Sequence, residues 1–398
     1  METLFQKQAQ LLKNTSLEIV RDDINRIHWD ARLVSIRGSR GVGKTTLMLQ
    51  YIKQHYDPDQ QQALYCSLDS IYFSTHNLLD LAMAFYQQGG KHLFLDEVHK
   101  YPTWSKEIKE IYDTYPELKL VISGSSMLNI INADADLSRR CIPYQMHGLS
   151  FREFLLFYKN VRLPAHTLQE ILGHPAEICG QVNQVCRPVG LFAEYLKGGY
   201  YPFFDGNLTT YYIQIENVVN FILEQELPAL SKIDPSYVLK LKALVEILAH
   251  SIPYEVDIQK LATTLNLSRN TVLHYLGCMQ RAEVLQLLYA DSMSVTKLQK
   301  PQKIYLQNPN MLYALSSTEV NIGTARETFA VNQLSRNHRV EYGKTKGDFL
   351  VDGAYTFEIG GPDKGFSQIA GVKESYVFAD GIEFASGRKL PLWLLGMM

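Results

Sequence analysis

The stretch Arg32-Leu33-Val34-Ser35-Ile36-Arg37-Gly38-Ser39-Arg40-Gly41-Val42-Gly43-Lys44-Thr45-Thr46-Leu47-Met48-Leu49-Gln50-Tyr51 decides the fold. Its first part, RLVSIRG, is an apolar strand, and TLMLQYIKQHY after it has the spacing of a helix. Between them Gly38 to Thr45 fits GxxxxGK[ST], in the context where that pattern has a mechanism. The glycines let backbone N–H groups turn inward around a β-phosphate, and the helix that follows presents its positive end. Lys44 is placed to reach β and γ oxygens, and the Thr45 hydroxyl to ligate Mg²⁺. The residues expected against the phosphates are Gly38, Ser39, Arg40, Gly41, Val42, Gly43, Lys44, Thr45 and Thr46.

Working outward, ALYCSLD, HLFLDE and LKLVISG are further strands, and HNLLDLAMAFYQQ is a second helix. Strands alternating with helices predict a parallel sheet covered on both faces, an α/β fold of the P-loop NTPase kind. The strand His92-Leu93-Phe94-Leu95 ends in two carboxylates, Asp96 and Glu97. Asp96 is expected on the Mg²⁺ side, and Glu97 is expected to orient and polarise the attacking water. After the strand Leu118 to Gly124, Ser123 or Ser125 is a candidate for the γ-phosphate or the lytic water, or else a turn-forming serine. Arg139 and Arg140 follow a polar loop, where a guanidinium would neutralise charge growing on the phosphoryl oxygens.

The rest of the chain sets the setting. It has 398 residues, 46% hydrophobic and 20% charged, enough for two or three packed domains. A net charge of −2 excludes a broad nucleic-acid-coating surface and leaves a local basic patch open. Cys66, Cys141, Cys179, Cys186 and Cys278 show no CxxC or zinc spacing, so a reduced, metal-free interior is expected. With neither a signal peptide nor a long apolar run, the expected location is the cytoplasm, away from membranes.

The order GSRGVGKTT, FLDEVHKYPTW, VISGSS, LSRR and LSFREFL resembles the AAA+-like ATPases of prokaryotes in the archaeal-type ATPase group. The resemblance spans nearly the whole chain and is most specific over 38–156. It implies ATP as the nucleotide, since no guanine-reading NKxD motif follows the third strand. It puts Lys44 and Thr45 at the nucleotide and Mg²⁺, Asp96 at the metal, Glu97 at the water and Ser123 at a γ-phosphate sensor. Arg140 falls where the family has the Arg of a Gly-Arg pair, with Arg139 replacing the glycine, so either arginine is a candidate finger, within one chain or across an oligomer. The family's Gly-Gly-x-x-Pro-like stretch is Gly198-Gly199-Tyr200-Tyr201-Pro202.

The expected organisation is an ATPase core over 1–150, a helical lid-like segment over 151–234, a winged helix over 235–315 and a small α/β domain over 316–398. In the third, Asp257 to Leu276 outlines a helix-turn-helix with Ser268 as N-cap and Leu261, Leu265, Val272, Leu276 and Met279 inward. As a reader of double-stranded DNA it would offer Arg269, Asn270 and His274 to the major groove and Lys297, Lys300 and Lys303 to phosphates. Otherwise it is a packing or protein-binding module.

In the tail, Glu327, Asp348 and Glu358 are similar to the PD-(D/E)XK nuclease pattern. Gly360 stands at the lysine's place, so an inactive domain is expected unless Lys364 or Lys346 reaches in. Trp393 is expected in the core. Three functions follow: an ATP-hydrolysing switch, a nucleotide-holding scaffold without turnover, and an ATP-gated nuclease. Glu97 argues for turnover.

Overall fold

The computed structural model describes residues 1–124, 137, 139–231, 233–250, 254–255, 257–290, 300–343 and 346–398. The chain divides into two compact units, Met1–Gly148 and Leu149–Met398.

In the first unit β1 (Leu33–Arg37), β2 (Ala63–Ser67), β3 (His92–Asp96), β4 (Lys119–Gly124) and β5 (Ile142–Gln145) form one parallel sheet in the order β2-β3-β4-β1-β5. Every residue of β3 is buried, as in a sheet covered on both faces. Period-2 alternation divides those faces. Leu93 and Leu95 pack into a core with Leu81 and Phe85 of α4 (Leu78–Gln87), Ile108 and Ile111 of α5 (Trp104–Thr114), and Leu4 of α1 (Glu2–Asn14), the helix that precedes the single turn α2 (Asp23–Arg26). On the other side Phe94 meets Trp29 and Tyr51, the latter from α3 (Lys44–His55), and these two rings stack 4.0 Å apart. The edge strand β2 is closed by Gln8 of α1, whose amide donates to Ala63 O and accepts from Tyr65 N–H. The architecture is that of a P-loop NTPase sheet with flanking helices.

The second unit opens on α6 (Phe151–Lys159), started by a capping box between Ser150 and Glu153. Short helices follow: α7 (Leu168–Gly173), α8 (Pro175–Val185), α9 (Pro188–Lys197), α10 (Leu208–Phe221) and α11 (Leu227–Ser231). Next come α12 (Val238–His250), β6 (Tyr254–Glu255), α13 (Ile258–Leu265), α14 (Arg269–Arg281), β7 (Leu285–Leu288) and β8 (Lys303–Leu306). The three strands pair antiparallel in the order β6-β8-β7. Asn266 adopts the left-handed conformation that ends α13, and Ser268 caps α14 by accepting from Thr271 N–H. Leu261, Leu265, Val272, Leu276 and Met279 are all buried.

After α15 (Pro309–Leu315) and α16 (Ile322–Leu334) comes a second five-stranded sheet, β13-β12-β11-β10-β9. Its strands are β9 (Val340–Tyr342), β10 (Phe349–Val351), β11 (Tyr355–Gly360), β12 (Ser375–Ala379) and β13 (Lys389–Pro391), with β11, β12 and β13 parallel and β9 and β10 antiparallel. The segments marked off in the sequence share one core here. Phe151 and Phe154 of α6, Phe192 of α9, Tyr305 of β8, Phe329 of α16, Phe357 of β11 and Trp393 belong to a single buried cluster. Among the described residues no helix is long and apolar enough to cross a membrane.

Candidate functional site

The loop between β1 and α3 is tightly built. A Cβ at Gly38 would lie 2.1 Å from Met146 O, because the strand end runs beside the segment after β5 and Met146 N–H bonds Arg37 O at 2.7 Å. Gly43, with φ +100, stands in the left-handed region immediately before α3, where any side chain is strained. Lys44 is 6% exposed and its ammonium crosses the loop, donating to Gly38 O at 2.8 Å and Ser39 O at 2.9 Å. Thr46 and Arg40 are exposed and Val42 is buried. Arg21, which no motif singles out, donates to Val42 O at 3.1 Å and His147 O at 2.8 Å, tying the loop to the chain after β5.

The parallel register brings the acidic end of β3 to this loop. Asp96, 2% exposed, accepts at Oδ2 from the Thr45 hydroxyl at 2.6 Å and from the Tyr65 hydroxyl at 2.8 Å. Its Oδ1 accepts from the Ser123 hydroxyl and from Glu97 N–H at 3.1 Å. The Ser123 proton is thus directed to the carboxylate on the neighbouring strand, where the sequence had suggested a phosphate, a water or a turn. Ser125 lies outside the described residues.

Glu97 has φ +54, an uncommon conformation for a residue with a side chain, and its carboxylate lies 3.5 Å from His99 Nε2. Burial, reinforced by the charges of Lys100 and Lys44, pulls the His99 pKa down to about 4, so the imidazole is neutral at pH 7. An amide-lined loop crossed by an ammonium, at the start of a 12-residue helix, suits a polyphosphate. A hydroxyl bonded to a carboxylate suits a hard divalent cation.

The arginines are placed elsewhere. Arg140 makes a two-point ion pair with Asp113, Nε and Nη2 each 3.0 Å from a carboxylate oxygen, at the end of α5. It precedes β5, which runs parallel to β1 with Val34 opposite Ile142 and Arg37 opposite Gln145. The phosphate loop follows Arg37, so the length of the sheet, roughly 10 Å at 3.3 Å per residue, separates the two. This places Arg140 away from the β1–α3 loop of its own chain, while the sequence had left open an action within one chain or across an oligomer. Arg139, at the same end, is exposed.

In the second unit Arg269, Asn270 and His274 are exposed on α14, as is Lys300, while Lys297 lies outside the described residues. Lys303 does not meet the expectation of a phosphate-binding wing residue. Only 12% exposed, it is 3.0 Å from Glu327 Oε2 and 3.7 Å from Asp348 Oδ1, because β8 runs against α16 in the core. Burial pulls its pKa down, but those two carboxylates outweigh this and leave it raised. Lys364 contacts Glu358 and lies over Gly360, where an added Cβ would sit 2.6 Å from Lys364 Cγ. Lys364, from the loop after the strand, is thus the lysine of the expected pair that reaches Glu358. Among the described residues no group of three or more His, Cys, Asp or Glu side chains is arranged to hold a metal ion.

Residues 30–155 match a family model described as an AAA domain. Residues 190–321 match a domain of unknown function, DUF8612. Two curated proteins of Methanocaldococcus jannaschii are similar to the chain. The uncharacterized protein MJ1637 is 25% identical over 310 residues, 73% of this chain and 64% of its own length, so the chain spans under two thirds of that relative. The uncharacterized protein MJ1544 is 26% identical over 345 residues, 80% of this chain and 71% of its own. Among solved structures, the Walker-type ATPase PABY2304 of Pyrococcus abyssi aligns with a TM-score of 0.43 and 12% identity over 78% of this chain and 94% of that one. AMPPCP-bound DnaA from Aquifex aeolicus aligns with a TM-score of 0.25 and 14% identity, covering 68% of this chain and 86% of that one.

Proposed function

We propose that the protein binds ATP with Mg²⁺ and hydrolyses it, and that the nucleotide state is passed to the second unit. The observation that carries this is the 2.6 Å bond between Thr45 of the loop and Asp96 of the acidic strand, which joins the phosphate side and the metal side of one site. The match of residues 30–155 to an AAA domain supports it independently.

In this reading Lys44 exchanges the carbonyls of Gly38 and Ser39 for β and γ oxygens, and the amides from Gly38 to Thr46 surround the phosphates. Thr45 and Asp96 would hold Mg²⁺, which supplies charge neutralisation at the phosphoryl oxygens. Glu97 leaves His99 to orient the attacking water, and Ser123 holds Asp96. A part for Arg139 or Arg140 at the phosphates requires a second copy of the chain, since neither lies at the loop of its own. The helix pair α13–α14 with the β6-β8-β7 sheet is read as a winged helix, offering Arg269, Asn270, His274 and Lys300 to duplex DNA or to a protein partner. The setting is cytoplasmic.

The test is phosphate release by the wild type against Glu97→Gln. We expect Mg²⁺-dependent turnover in the wild type, a loss of at least ~100-fold in the variant, and retained nucleotide affinity. Equal low rates with intact binding would leave a nucleotide-holding scaffold instead.

A further inference from the structure

Tyr65 is a residue that neither the motif nor the spacing singles out. It stands on β2, one strand beyond the acidic strand and away from the phosphate loop. In the register of the sheet Tyr65 is opposite Phe94 and Ser67 is opposite Asp96. Tyr65 and Asp96 are therefore diagonal neighbours on one face, a separation that an aromatic side chain spans. Its backbone is fixed as well, because its N–H donates to Gln8 of α1. The ring is buried, and its hydroxyl donates to Asp96 Oδ2 at 2.8 Å.

A buried tyrosine hydroxyl needs one acceptor, and any backbone carbonyl would serve. Here the acceptor is Asp96 Oδ2, the same oxygen that takes the Thr45 proton, while Ser123 and Glu97 N–H take Oδ1. With donors on both oxygens the carboxylate plane cannot rotate without breaking bonds on each side. The Thr45 oxygen keeps its lone pairs for a cation as long as its proton rests on Oδ2.

We propose that Tyr65 is a positioning residue for the divalent cation, holding Asp96 so that Asp96 in turn orients the Thr45 hydroxyl. The proposal rests on the nucleotide reading above and adds to it a residue on a strand that touches neither phosphate nor metal. Outer partners of this kind fix a ligand's geometry, and losing one costs about 10–100-fold in metal affinity.

The experiment is calorimetry of ADP binding to the full chain, in EDTA and across a Mg²⁺ series, for the wild type, Tyr65→Phe and Tyr65→Leu. Both variants remove the hydroxyl, and the first keeps the ring. The expected result is an ADP affinity in EDTA within twofold of the wild type and a Mg²⁺ midpoint raised at least about tenfold. Unchanged Mg²⁺ midpoints in the folded variants overturn the proposal. A lowered melting temperature with no midpoint shift also overturns it, by assigning the hydroxyl to the fold alone. A wild-type chain that binds no ADP under either condition refutes the nucleotide reading itself, an outcome distinct from the other two.

Discussion

His92 illustrates how a single buried side chain in the first unit makes stability depend on pH. It begins β3 and is 1% exposed, accepting the Tyr56 hydroxyl at Nδ1 at 2.7 Å, while its Nε2 finds no hydrogen-bond partner among the described residues. Burial, with the nearby Lys119 charge, pulls its pKa down to about 3, against 6.5 for the ordinary value. Between those values the unfolded chain binds the proton and the folded chain does not, so stability is full above about pH 6.5 and falls as the pH drops toward 3. From pH 7 to pH 5 this one group removes ~2 kcal/mol. We expect the urea midpoint of His92→Asn to fall less over that range than that of the wild type. His99, also pulled below its ordinary value, remains in both proteins and sets the residual slope. Parallel curves for the two proteins would refute the assignment.

Strand β8 shows what a charge does when an element carries it into a core. Lys303 is its first residue and faces Glu327 of α16 and Asp348 just before β10, with the Tyr305 hydroxyl also donating to Glu327. Removing one partner of such a group leaves carboxylates buried without a counter-charge, at a cost of about 3 kcal/mol. Lys242 and Glu224, a pair about 40% exposed, is the useful contrast, since solvent-screened pairs contribute under about 1 kcal/mol. Lys303→Met should lower the urea unfolding midpoint of the second unit markedly, and Lys242→Met should barely move it. Equal effects would show that the Lys303 pair is screened by water despite its burial. The same packing explains why Lys303 is a strut between elements and not a contact for nucleic acid.

At the scale of the whole molecule, a chain with net charge −2 has no general attraction for a polyanion, so DNA binding would have to come from the α14 face. Arg269, Asn270 and His274 are exposed there, and Lys300 is exposed before β8. If this face reads DNA, an electrophoretic shift with duplex DNA at low salt should be lost at higher salt, and Arg269→Ala should weaken it about tenfold or more. No shift with any duplex at low salt would remove DNA and leave a protein as the partner.

The phosphate loop, the acidic strand end and the sheet around them were legible because their chemistry is local. Gly38 to Thr45 must be glycine-rich where the backbone turns, and strands buried on both faces must be apolar along most of their length. The helices α13 and α14 were legible for the same reason, as the Ser268 cap and the inward leucines act within a few residues of each other. What lay beyond reach depended on register and on pairing at long range. Tyr65 reaches Asp96 only because β2 lies beside β3, and Arg140 is kept from the loop by the direction of β5. Lys303 turns to Glu327, and Lys364 covers Gly360, through contacts across 24 residues and across a turn. Sequence determines which groups a strand or loop carries, whereas which of them share a hydrogen bond is decided when separate elements pack and each buried charge takes the nearest partner.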